Sequence, residues 1–70
     1  MTSGERVRHW RLLRGLSYRA LASKAELHTS TLHRIEHGQV PRADEIERIA
    51  AALDLSMPEF YGATRKKRSA

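Results

Sequence analysis

The chain has 70 residues and a formal charge of +5, which allows one domain that buries only about 60% of its unfolded surface. It has no cysteine, which excludes disulfides and thiolate metal sites, and no apolar run reaches the length of a membrane span or a signal-peptide core. Four positive charges stand together at Arg65-Lys66-Lys67-Arg68; the rest is close to neutral, so its basic groups count by position rather than by sum.

In chain order, Met1 to Ser3 is expected to fray. A first helix runs from about Gly4 to Arg14, with Val7 and Trp10 inward at helical spacing and Arg11 at the edge of that stripe. Trp10 is the largest apolar group and is expected at the centre of the core; a base-stacking role is the weaker alternative. Leu12 and Leu13 lie partly off the stripe, so at least one should be half exposed. Gly15 ends the helix, and Leu16 supplies the apolar contact that accompanies such a stop.

Ser17 is a good N-cap, and Ala20, Leu21, Ala25 and Leu27 follow as an apolar stripe. The next helix spans about Thr29 to His37, with Leu32 and Ile35 on its buried side and Gly38 placed for a left-handed stop. Gln39-Val40-Pro41-Arg42 reads as a loop, since Pro41 forbids continuation of the helix before it. A fourth helix covers about Ala43 to Leu53, with Ile46, Ile49, Ala50 and Leu53 at i, i+3, i+4 and i+7. Asp44, Glu45 and Glu47 crowd its N-terminal half, where the helix dipole favours anions. Ser56-Met57-Pro58-Glu59 is a capping box that opens a short fifth helix at Met57, closed by Phe60 and Tyr61. The expected fold is all-α: five short helices around Trp10, Leu21, Leu32, Ile35, Ile46, Ile49 and Leu53. Residues 1–61 form the domain and 62–70 a flexible basic tail, either an arm onto nucleic acid or a solubilising end.

No residue set supports catalysis. The chain lacks a nucleophilic Cys, a Gly-rich phosphate loop and any arguable Ser–His–acid group. His33 and His37 are four apart on a helix, a spacing that suits two metal ligands, but no third ligand is evident, so neither metal nor cofactor is expected. The third helix shows solvent Thr29, Ser30, His33, Arg34 and His37. A polar face this low in acid fits a major-groove reader; periodicity alone leaves a generic solvated face equally open.

The stretch LSYRALASKAELHTSTLHRIEHG, residues 16–38, resembles the helix-turn-helix of the Cro/C1-type (XRE-like) repressor family. The likeness rests on Leu16-Ser17, Leu21-Ala22, Leu27, Ser30-Thr31-Leu32 and Arg34-Ile35-Glu36 followed by Gly38, and reaches outward over about residues 4–61. Two residues depart from it. Tyr18 stands where the family often has Gln, and Glu26 stands where it often has Gly in the turn, asking a non-glycine residue for a left-handed conformation at about 1–2 kcal/mol.

The resemblance implies a lambda-repressor-like domain that binds specific double-stranded DNA as a transcriptional regulator, a repressor, in the cytoplasm. It implies base contacts from Thr29, Ser30, His33 and Arg34, and backbone contacts from Tyr18, Arg19, His28, Gln39 and Arg42. His28 is also expected to cap its helix. It further implies a half-buried salt bridge between Arg11 and Glu36; the bland alternative is two solvated charges. A palindromic operator and a homodimer, at least on DNA, go with that reading. Leu55, Met57, Phe60 and Tyr61 are the expected dimer surface, unless they all pack under the fourth helix. The competing function is a helical protein-interaction module that keeps the fold without specific DNA binding.

Overall fold

The computed structural model describes residues 1–62, and every structural statement below concerns those residues; the basic run at 65–68 and the tail expected from it lie outside them. Five helices follow one another: α1 (Ser3–Leu13), α2 (Tyr18–Ala25), α3 (Thr29–Glu36), α4 (Ala43–Ala52) and α5 (Met57–Phe60). The chain is all-helical over the described residues, as the apolar periodicity predicts.

Local signals account for most helix ends. Thr2 and Glu5 form a reciprocal capping box: the Thr2 hydroxyl accepts from the Glu5 N–H at 3.1 Å, and the Glu5 carboxylate accepts from the Thr2 N–H at 2.8 Å. The expected fraying of Met1 to Ser3 is therefore corrected: Ser3 is already helical. Ser17 Oγ accepts from the Ala20 N–H at 3.0 Å and starts α2. Glu26 takes the left-handed conformation at φ 59°, and the Leu27 N–H closes the turn onto the Ala22 carbonyl at 2.8 Å. Ser56 and Glu59 repeat the reciprocal box at α5. Asp54, which carried no sequence signal, also stands at positive φ, 61°, and turns the chain from α4 towards α5.

α2 lies against both α3 and α4, α1 packs on α3, and α5 closes on α4. The core is Val7, Leu21, Ala22, Ala25, Leu32, Ile35, Ile46, Ile49, Ala50, Leu53 and Phe60. Six of the seven expected core residues are in it. Trp10 is not: it is only partly buried, and Phe60 is the largest side chain wholly withdrawn from solvent. The reason is chemical. An indole N–H must keep an acceptor, and Trp10 finds one at the rim, donating from Nε1 to the Phe60 carbonyl at 3.2 Å.

This placement also corrects the expected dimer surface. Phe60 is fully buried, Leu55 and Met57 pack against the core, and of the four only Tyr61 is exposed. The apolar groups left in solvent elsewhere include Leu12 and Leu13, both more than half exposed.

Gly4 sets the spacing between α1 and α3. A Cβ at Gly4 would collide with the Ile35 carbonyl oxygen and lie 3.1 Å from its carbon and 3.2 Å from Glu36 Cα. Only a residue without a side chain lets the two backbones come this close.

Candidate nucleic-acid interface

Two buried residues, Leu32 and Ile35, hold α3 against the core. The helix therefore turns Thr29, Ser30, His33 and Arg34 outward, and all four are exposed, as is His37 just past its end. The face carries no carboxylate: the side chain of Glu36, the one acid of α3, points away and is wholly buried. The side chains of Thr29, Ser30 and Arg34 make no hydrogen bond or ion pair among the described residues. Their donors and acceptors are open to a ligand.

Glu36 is tied to α1. Arg11 Nε donates to its Oε2 at 2.7 Å and Nη2 to its Oε1 at 3.2 Å, while Nη1 donates to the Leu16 carbonyl at 2.9 Å. This two-pronged geometry is the strong form of an ion pair, and the side chains are 8% and 0% exposed. Hydrogen bonding to Glu36 raises the Arg11 pKa above its already high ordinary value. The guanidinium is thus fully committed inside the domain and is not a free cation for a phosphate.

The Arg11 guanidinium also lies 4.2 Å from the centre of the Tyr18 ring. Tyr18 is 5.3 Å from the His33 ring, and His33 stacks on His37 at 4.1 Å with 19° between the planes. A backbone carbonyl only accepts, so the 2.8 Å contact of His37 Nδ1 with the His33 carbonyl makes Nδ1 the donor. The i, i+4 histidines are therefore stacked face to face. Among the described residues no group of three or more His, Asp or Glu could hold a metal ion.

The residues expected on the DNA backbone differ in how free their groups are. Tyr18 and Arg19 open α2; Ser17 Oγ caps only the Ala20 N–H, so the N–H groups of Tyr18 and Arg19 have no hydrogen-bond partner among the described residues. Arg19 and Gln39 are exposed with no side-chain partner among the described residues. His28 occupies the N-cap position of α3 but its side chain makes no cap hydrogen bond, which corrects the expected capping role; its carbonyl alone receives Thr31 and Leu32 N–H. Arg42 is already engaged: Nε and Nη2 each donate to Asp44 at 3.2 Å. That hydrogen bonding raises the Arg42 pKa and holds the Asp44 carboxyl below the usual carboxylate range. To reach a phosphate, Arg42 must share or leave Asp44. Glu26 and Glu45 line an open groove with His28 and Arg48.

Sequence reasoning missed the contact of Tyr18 with His33. The i, i+4 spacing of His33 and His37 was a signal for proximity, but nothing local places a ring of α2 beside them.

With this geometry, the chain matches the family described as a helix-turn-helix domain over residues 4–68. That match covers nearly all of it, and the chain belongs to this helix-turn-helix family, consistent with an XRE/Cro-like type. No curated protein and no solved structure matches it. A helix-turn-helix domain of this kind points to a DNA-binding regulator. No helix among the described residues is long and apolar enough to cross a membrane.

Proposed function

We propose that this chain is a sequence-specific double-stranded-DNA-binding transcriptional regulator, a repressor that sits as a two-fold dimer on a palindromic operator. One observation carries the reading: α3 is anchored by Leu32, Ile35 and the buried Glu36, and offers solvent an acid-free face of Thr29, Ser30, His33, Arg34 and His37. Such a helix, braced by α2, fits the major groove with its N-terminal residues towards base edges. Thr29 and Ser30 can bond several bases or touch a thymine methyl, and His33 and Arg34 can donate to guanine. Tyr18, Arg19, His28, Gln39 and, once released from Asp44, Arg42 are the backbone contacts in this reading.

The binding unit in this reading is residues 1–61. It is a binding protein and not an enzyme, needs no cofactor, and acts in the cytoplasm, where its DNA is. One recognition helix reads only a few base pairs, so a dimer on half-sites about 34 Å apart supplies the missing information.

Selection from random duplexes tests the proposal. The expected result is an enriched palindrome, a two-fold footprint and affinity that falls steeply with salt. On that site His33→Ala or Ser30→Ala should weaken binding by about 1–3 kcal/mol while the fold and the affinity for random DNA are kept. Equal loss on both duplexes would remove the base-contact role. No enrichment at all would favour a protein-interaction module.

A further inference from the structure

We propose that Tyr18 is a specificity-setting residue: its ring, packed on the Arg11 guanidinium, holds His33 in the orientation that reads a base. The inference rests on α3 being the base-reading helix.

The observations form one chain of contacts from the core to the exposed face. Arg11 is immobilised by three hydrogen bonds, two on the buried Glu36 and one on the Leu16 carbonyl. Tyr18 packs against the core and lies with its ring 4.2 Å from that guanidinium, a distance at which cation–π attraction is effective. The same ring touches His33 at 5.3 Å with 51° between the planes, within the range of attractive aromatic pairs. His33 then stacks on His37, whose Nδ1 is fixed on the His33 carbonyl at 2.8 Å. His33 therefore meets a ring of α2 and the ring of His37 just past the end of its own helix.

A long side chain on an exposed helix face otherwise samples several rotamers, and selecting one on binding weakens affinity for every sequence that needs it. A ring held before binding loses less. It also presents its nitrogens in a defined direction, which is what discrimination between base edges requires. The other exposed members of the face, Thr29, Ser30 and Arg34, have no such support. Tyr18 acts in this scheme through its ring face. Its hydroxyl is not required, and a phosphate contact from that hydroxyl is a separate and sequence-blind role.

The experiment measures affinity for the selected operator and for a random duplex with wild type, Tyr18→Phe, Tyr18→Leu, His33→Ala and the double variant Tyr18→Leu/His33→Ala. Tyr18→Phe keeps the ring and should hold the specific-to-random ratio within about twofold, while Tyr18→Leu and His33→Ala should each lower it about tenfold. The double variant should lose no more than His33→Ala alone, because Tyr18 acts only through His33. Tyr18→Gln removes the ring in a second way and decides the matter if Tyr18→Leu does not fold; it should behave as Leu.

Equal loss of affinity in Tyr18→Phe and Tyr18→Leu on every duplex would overturn the proposal in favour of a hydroxyl–phosphate contact. Losses that multiply in the double variant would overturn it as well. A wild type that does not discriminate between duplexes sinks the DNA-reading function and this inference together. A wild type that discriminates, with Tyr18→Leu and Tyr18→Gln unchanged, sinks only the inference.

Discussion

Glu36→Ala should be one of the most damaging single substitutions in this domain. A natural domain is stable by roughly 0.05–0.15 kcal/mol per residue, which for a chain this short is about 4–10 kcal/mol. Removing one partner of a buried ion pair costs about 3–5 kcal/mol, because the remaining charge is left in a medium that solvates it poorly. Arg11 in the variant keeps the Leu16 carbonyl and the Tyr18 ring, which argues for the lower end, about 3 kcal/mol. For a domain this size that is a fall in Tm of roughly 12–24 °C. Glu47 is exposed and has no ion pair among the described residues, so Glu47→Ala should change stability by less than about 0.5 kcal/mol. Thermal and urea melts of the two variants make the comparison. The double variant Arg11→Met/Glu36→Leu should recover much of the loss, since a buried pair exchanged for apolar groups is often neutral or better. Equal melts for Glu36→Ala and Glu47→Ala would refute the reasoning. So would a double variant no more stable than Glu36→Ala, because the loss would then not come from a stranded charge.

Two further predictions concern the frame around the site. Gly4→Ala removes a helical glycine, worth up to about 1 kcal/mol in its favour, but drives a methyl into the Ile35 backbone; the overpacking, about 1–3 kcal/mol, should win and lower the Tm. A variant as stable as wild type would show that α1 can shift off α3 freely. Acid should weaken the domain through Glu59 and Asp44, whose carboxyls are held below the usual range, Glu59 by the Ser56 backbone N–H and then its hydroxyl, Asp44 by the Arg42 guanidinium. A lowered folded-state pKa means that the contribution is complete above the ordinary carboxyl value, about 4, and is lost as pH falls through the lower folded value. Urea midpoints should therefore separate wild type from Glu59→Gln and Asp44→Asn at neutral pH and converge with them at low pH. A gap of constant size at every pH would contradict the assignment.

The helices were legible because their determinants are local. Ser17, Gly15 and the Ser56–Glu59 box act on backbone groups three or four residues away, and the stripes through Leu21, Ile35 and Ile49 follow the 3.6-residue turn. The same periodicity placed Thr29, Ser30, His33 and Arg34 on one exposed face. The left-handed turn at Glu26 was expected from the family resemblance, in which glycine often holds that place.

What lay beyond the sequence depends on residues far apart in the chain. Phe60 rather than Trp10 fills the centre because α5 closes on α4 and brings the Phe60 carbonyl, fifty positions on, to the indole at the rim. The need for glycine at position 4 exists only because α3 passes against it. The ring of Tyr18 reaches His33 only once α2 and α3 have been packed. Periodicity assigns each side chain a side of its own helix. It does not set the distance and angle between helices, and those are decided by how the whole core closes.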